Sequence, residues 1–293
     1  VPDDVEPKID YAVQDWYLQQ LPSPFPPLDT EEKETQWGQE FRIAIGFAHE
    51  LDLYQALTAF RRAEFLLPPG ESRRRLEMQY DILLCYYLGK KYADVAYTFE
   101  HSDLYFADRT FPAFEDLLIV LYDTYIHLDN EEKADAMLRF IQQQYPERAE
   151  TLALSSALLQ GSIDTLRART PLEPYLQDLL TCYDADKKSV KQAQALNAVL
   201  PGAGYLYLGQ KQSALTAFLL NGLFIAASVY FFHQGNVSAG VICTSFEAGW
   251  YFGGITGAGL EAKFYNERIY ERCATPIMNQ QRLFPVLMLR YAF

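Results

Sequence analysis

Apolar residues from Trp37 to Ile141 recur at the three- and four-residue spacing of amphipathic helices, so the chain is predicted to fold as helical pairs. The pairs repeat. In the second helix of each pair, Ala56, Val95 and Ala134 stand 39 residues apart, as do Phe60, Phe99 and Leu138, and Ala63, Ser102 and Ile141. In the first helices, Ala44, Leu83 and Tyr122 keep this period, as do Phe47, Tyr86 and Tyr125. Five columns in one register predict a helical repeat array. A fourth, shorter pair is expected at 149–159 and 162–168, broken at Gly161, and another helix at 175–183. Ahead of the array, residues 8–20 suit a short amphipathic helix with Trp16 and Leu18 among its apolar positions. The Leu21-Pro22-Ser23-Pro24-Phe25-Pro26-Pro27 run then stops it, because proline cannot continue a helix.

The pattern changes between Lys211 and Glu261, where Glu247 is the one charged residue. Residues 213–232 form an apolar arm that would span roughly 30 Å as a helix, about the thickness of a bilayer core. Residues 237–260 are comparable in length and richer in glycine. The expected architecture is therefore all-α: a helical solenoid followed by a hydrophobic membrane hairpin. Its expected parts are residues 1–35 (a helix and proline linker), 36–190 (repeats), 191–270 (hairpin) and 271–293 (tail).

Within each unit the spacing resembles the tetratricopeptide repeat (TPR). In that family a small residue opens the second helix, an aromatic follows four later, a small residue three after that and a proline five further on. Ala56, Phe60, Ala63 and Pro68 match all four positions. Ala134, Leu138, Ile141 and Pro146 match the spacing without the small third residue, and Val95, Phe99, Ser102 and Ala107 match least. The period exceeds the family's usual length of about 34, which points to longer turns between units. The resemblance covers about 110 residues and implies a concave protein- or peptide-binding surface, with no reaction.

Before the first arm, Pro201-Gly202-x-Gly204-x-x-Tyr207-x-Gly209 resembles the P-G-x-G-x-x-Y motif of small bacterial two-helix membrane domains. The stretch ending Tyr265-Asn266-Glu267-Arg268 resembles the tail of envelope proteins that join TPR units to such a hairpin. That family implies no catalytic residue. A dinucleotide loop would need G-x-G-x-x-G between strand and helix, which is not the pattern here. Proline and glycine bend the chain at the membrane surface, and Tyr205 and Tyr207 are expected at headgroup level.

In the second arm Gly249, Gly253 and Gly257 recur every four residues and expose backbone for a close helix contact, within the chain or between chains. A hairpin buried in a purely soluble protein is the alternative. Asn221 and Glu247 are the polar exceptions, at similar depth when counted from a turn near Gly235. An isolated carboxylate at that depth is expensive, so an uncharged Glu247 hydrogen-bonded to Asn221 is expected; a proton relay or a polar groove are the other readings.

The net charge of −13 speaks against a nucleic-acid partner. Cys85, Cys182, Cys243 and Cys273 show no CxxC pair, which leaves room for one bridge, and Cys243 suits packing. His49, His101, His127 and His233 have no metal spacing, and neither a cofactor nor a catalytic constellation is implied. The alternation of Leu287, Leu289, Tyr291 and Phe293 resembles the terminal strand signal of outer-membrane barrels, yet no series of strands accompanies it, so local packing or pairing with another sheet is expected. Lys187, Lys188, Lys191 and Lys211 before the hairpin, and Lys263, Arg268 and Arg272 after it, favour a cytoplasmic side. The start at Val1 without Met fits a cleaved signal peptide or a trimmed chain; its acidic, proline-containing opening favours the first and with it the periplasm, the side expected here. The function expected is a non-enzymatic, membrane-anchored TPR adaptor in a bacterial envelope complex, binding protein partners and the bilayer, with membrane-protein assembly as the role it suits. A permanent subunit of a larger membrane machine is the alternative, and oligomerisation fits either.

Overall fold

The computed structural model describes residues 5–9 and 15–293, and among these residues the fold is all-α with no strand. Residues 10–14 of the expected 8–20 helix, and the Trp16 side chain, lie outside the described part; Asp15–Gln19 is helical and Leu18 is buried.

The chain divides into two compact units, Tyr11–Ser156 with Met278–Phe293, and Ala157–Ile277 with the N-terminal residues up to Asp10. The boundary therefore falls between Ser156 and Ala157, upstream of the expected position near 190. Packing of the long helix Val237–Gln280 explains the difference. Its Tyr270 hydroxyl donates to the Leu158 carbonyl at 2.8 Å, its Tyr270 ring meets Tyr183 edge-on, and its Cys273 is disulfide-bonded to Cys182.

In the first unit three pairs follow in sequence: Gln36–His49 with Leu53–Leu66, Ser72–Leu88 with Tyr92–Glu100, and Phe114–His127 with Glu131–Gln144. Each helix packs on the next. The three second helices begin at Leu53, Tyr92 and Glu131, which keeps the 39-residue register. The turns that set this register are alike. Leu51, Lys90 and Asp129 are left-handed, with φ of 56°, 55° and 52°. Beyond each, the amides of Asp52, Lys91 and Asn130 donate back to the carbonyls of Phe47, Tyr86 and Tyr125, at 2.9, 2.9 and 3.0 Å. This is the Schellman closure, which satisfies carbonyls that a helix end leaves open.

Ala44, Leu83 and Tyr122 are buried, as are Ala56, Val95 and Ala134. The column of Phe60, Phe99 and Leu138 is uneven: Phe60 is fully buried and the other two are half-buried. The helix Tyr92–Glu100 stops short, so Ser102 lies beyond its end and Leu104, from the following 3-10 turn, is buried nearby. The later elements follow the expectation closely, with helices Pro146–Leu159, Ile163–Arg169 and Pro174–Asp186, and Gly161 left-handed at the break.

The hairpin has unequal arms. Lys211–His233 is 23 residues, whereas the second arm is the opening part of a single 44-residue helix. Among the described residues only Lys211–His233 is long and apolar enough to cross a membrane. The second arm, expected to match it, does not meet that standard, because glycines and polar residues dilute its apolar content.

Candidate binding groove and hairpin junction

The first helices of the second and third pairs are buried on nearly every side, while their second helices bury one stripe. The covering comes from two segments that sequence reading left as linker and tail. Phe25 of the proline run packs against Tyr80 and Phe111, with ring centroids 6.0 and 5.6 Å away. Arg74 holds this run in place. Its Nη1 and Nη2 donate to the Pro26 and Pro27 carbonyls at 2.9 and 3.2 Å. The same guanidinium forms a forked pair with Glu32, both contacts at 2.7 Å, and reaches Glu77 at 2.6 Å. Burial opposes the Arg74 charge, but Glu32 and Glu77 outweigh it and keep the group protonated. Burial also pushes the Glu77 carboxyl up, against the pull of Arg74.

Residues 283–293 form the second cover. They make a 3-10 turn, Pro285–Met288, and then an extended stretch, and the expected alternation of Leu287, Leu289, Tyr291 and Phe293 does not decide their burial. Instead Leu283, Phe284, Val286, Met288, Leu289, Ala292 and Phe293 are buried while Leu287 and Tyr291 are partly so. The Tyr17 hydroxyl donates to the Leu287 carbonyl at 2.9 Å and lies 3.2 Å from that of Leu289. Asp116 Oδ2 accepts the amides of Arg290 and Tyr291, each at 2.9 Å, and the Ala292 amide donates to the Pro22 carbonyl at 3.1 Å. Arg290 pairs with Glu115 at 2.8 Å, and the Phe293 ring stacks on Phe60 with centroids 6.2 Å apart. Burial pushes the Asp116 carboxyl up to about 6 even though two amides donate to it. Beside Phe293 a groove of about 520 Å³ stays open, with Phe25, Phe41, Ile45, Arg42 and Glu77 among its lining. The proline run and the tail thus cover part of the surface of the helical pairs.

In the other unit the glycine motif builds a junction. Gly202 is left-handed (φ 95°), its amide donates to Asn197 Oδ1 at 2.8 Å, and a Cβ there would lie 2.3 Å from the Ala214 carbonyl oxygen. At Gly204 a Cβ would come within 2.4 Å of the Ala193 carbonyl oxygen and 2.8 Å of the Ala258 Cβ, so three helices meet where only hydrogen fits. Pro201 is partly buried, and Gly209 closes the short helix Ala203–Tyr207 in the left-handed region. Tyr207 packs on Val190, Ala193, Leu208 and Ala262, and its hydroxyl accepts the Ser189 amide at 3.3 Å; the Tyr205 hydroxyl sits against Gly257. Both tyrosines therefore act within the junction. Gly204→Ala should cost about 1 to 3 kcal/mol, since a carbonyl oxygen cannot step aside as a side-chain tip can. A thermal midpoint equal to that of the parent chain would show that the junction is looser than this geometry.

The hairpin register is set by Phe232 against Gly240, Phe224 stacked on Phe246, and Gln210 donating to Glu261 at 2.6 Å. The expected bond between Asn221 and Glu247 is not made. Asn221 Nδ2 donates to the Ala217 carbonyl one turn back on its own helix, at 2.6 Å. Its Oδ1 and Glu247 Oε2 are each buried without a partner. The glycine stripe also divides. A Cβ at Gly249 or Gly253 would meet nothing within 4 Å, so these two do not contact the first arm, whereas Gly257 does pack, on Tyr205. Gly253→Leu is accordingly compatible with the fold of the isolated chain.

Arg74, Asp116 and Tyr17 hold the two covering segments, and sequence reading missed all three. Arg74 stands in a run of three arginines, and Asp116 looks like an ordinary acid in a first helical turn. Among the described residues no group of His, Cys, Asp and Glu side chains could hold a metal ion. His127 stacks on Tyr92, and His101 stacks on Tyr97. Comparison of the chain with protein-family models, with curated proteins and with solved structures finds no match.

Proposed function

We propose that this chain is a non-enzymatic adaptor of a bacterial envelope complex, tethered to the bilayer by its hairpin and binding protein partners through its TPR-like repeats. One observation carries the reading: the helix Lys211–His233 leaves Leu215, Phe218, Leu219, Leu223, Ile225 and Val229 half or more exposed. A continuous apolar surface of that kind is covered by lipid or by another protein. The Cys182–Cys273 bridge supports the periplasmic side, because disulfides persist in oxidising compartments.

Replacing Leu219 and Leu223 with lysine tests the tether. Each buried lysine costs about 2.5 to 3.5 kcal/mol at the centre of a membrane helix. The parent chain should remain with membranes through an alkaline wash and the double variant should be released. Retention of both would sink the bilayer assignment. Gly249 and Gly253 give specific support to a second reading, a permanent subunit, because bare backbone on an exposed arm suits close packing by a helix of another protein. Affinity purification in mild detergent separates the two: varied, substoichiometric partners fit the adaptor, and one complex at constant stoichiometry fits the subunit.

A further inference from the structure

The segment 283–293 holds to its unit in two different ways. By side chain it is core along its length: Leu283, Phe284 and Val286 are exposed by 3% or less, and Leu289, Ala292 and Phe293 by 4% or less. From Leu289 onward most of its polar contacts are made by main chain. Tyr17 reads a carbonyl, Asp116 reads two successive amides, and the Pro22 carbonyl takes a third. Any extended peptide offers the same groups, so these contacts select a conformation rather than a sequence. Selection rests on two side chains, Arg290 on Glu115 and Phe293 on Phe60.

The wall also offers more than the resident segment uses. Asp116 Oδ1 and the Tyr80 hydroxyl are both fully buried and both without a hydrogen-bond partner. Native proteins rarely leave such groups unpaired, since each costs about 1 to 3 kcal/mol. Next to Phe293 the open groove extends the same surface, floored by Phe25, Phe41 and Ile45.

We propose that residues 289–293 are an exchangeable resident ligand, and that the wall of Tyr17, Glu115, Asp116 and Phe60 takes in their place an extended segment of a partner protein carrying a basic residue three positions before an aromatic one. The inference rests on the adaptor reading and names the class of segment that the repeats would bind. Charge favours it: Glu115 and Asp116 present an acidic ledge to the basic position, and Phe60 with Phe41 an apolar one to the aromatic. In the resting chain the site is shut by its own segment. A tethered competitor acts at an effective concentration on the order of 1 mM, so a free peptide of equal intrinsic affinity binds the intact chain only in roughly that range.

The test uses the full chain in mild detergent and a fluorescent peptide with the sequence of residues 287–293. Arg290→Glu is the variant, because Arg290 is solvent-exposed and its reversal sets two acids of the wall against the resident segment while sparing the core. Amide exchange at residues 290 and 291 should quicken at least tenfold in the variant, while the helices of the unit keep their protection. The peptide should then bind the variant at least tenfold more tightly than it binds the parent. The same peptide with glutamate for arginine, or alanine for its last phenylalanine, should bind neither. Equal binding to parent and variant, or a released segment with no peptide binding, would overturn the proposal. So would variant chains that pair with one another and are not separated by peptide, since the occupant would then be a second copy. Peptide exchange as described, with no protein recovered from envelope extracts, would leave this site standing and remove the adaptor reading instead.

Discussion

Reduction of the Cys182–Cys273 bridge lowers the stability of the Ala157–Ile277 unit by about 4 to 5 kcal/mol on the chain-entropy estimate. The size follows from the 91-residue separation of the two cysteines, which removes much of the freedom of the unfolded chain. The bridge joins the helix Pro174–Asp186 to the helix Val237–Gln280 and so closes a loop that contains the whole hairpin. Cys182→Ser should reproduce the effect, and Cys85→Ser should not resemble it, because Cys85 is a buried free thiol in the other unit. Denaturant midpoints in detergent, with and without reductant, measure the difference. Coincident midpoints would mean that the two cysteines are not joined in solution.

Arg74→Ala should destabilise the repeat unit by about 3 to 5 kcal/mol, the range for removing one partner of a buried ion pair. The substitution strands Glu77, which is 3% exposed, and leaves the Pro26 and Pro27 carbonyls without their donor. Arg74→Lys should fail to rescue it in full, because an ammonium cannot reproduce the fork that meets Glu32 through two contacts. Replacing Arg74 and Glu77 together with methionine and leucine should recover much of the loss, since no charge is then left buried. Urea midpoints of the three variants decide the matter. A loss under 1 kcal/mol for Arg74→Ala would show that the proline run is held by Phe25 and its neighbours instead.

The helical pairs, their 39-residue register and the break at Gly161 were legible in the chain, because each depends on local spacing. The turns that hold the register were not. Leu51, Lys90 and Asp129 take a left-handed conformation without a glycine to announce it. Long-range contacts were equally hidden. Nothing near Pro26 says that an arginine 48 positions later will hold its carbonyl, and nothing in Asp116 points to amides at 290 and 291. In the hairpin, depth could be counted but azimuth could not. Counting brought Asn221 and Glu247 level, yet Asn221 found a carbonyl on its own helix, and a four-residue glycine period marked a face without saying that Gly249 and Gly253 would point away from the first arm.

The helix Val237–Gln280 carries a mechanical consequence. At 1.5 Å per residue its 44 residues extend roughly 66 Å, about twice a bilayer core. It runs unbroken from the hairpin turn past Cys273, and its one proline, Pro276, comes only after the bridge. No joint separates the apolar arm from the covalently locked end, so a tilt or twist imposed on the arm arrives at the disulfide as displacement rather than being absorbed on the way. The chain thereby holds one continuous rod, locked by the bridge near one end and packed against the first arm near the other.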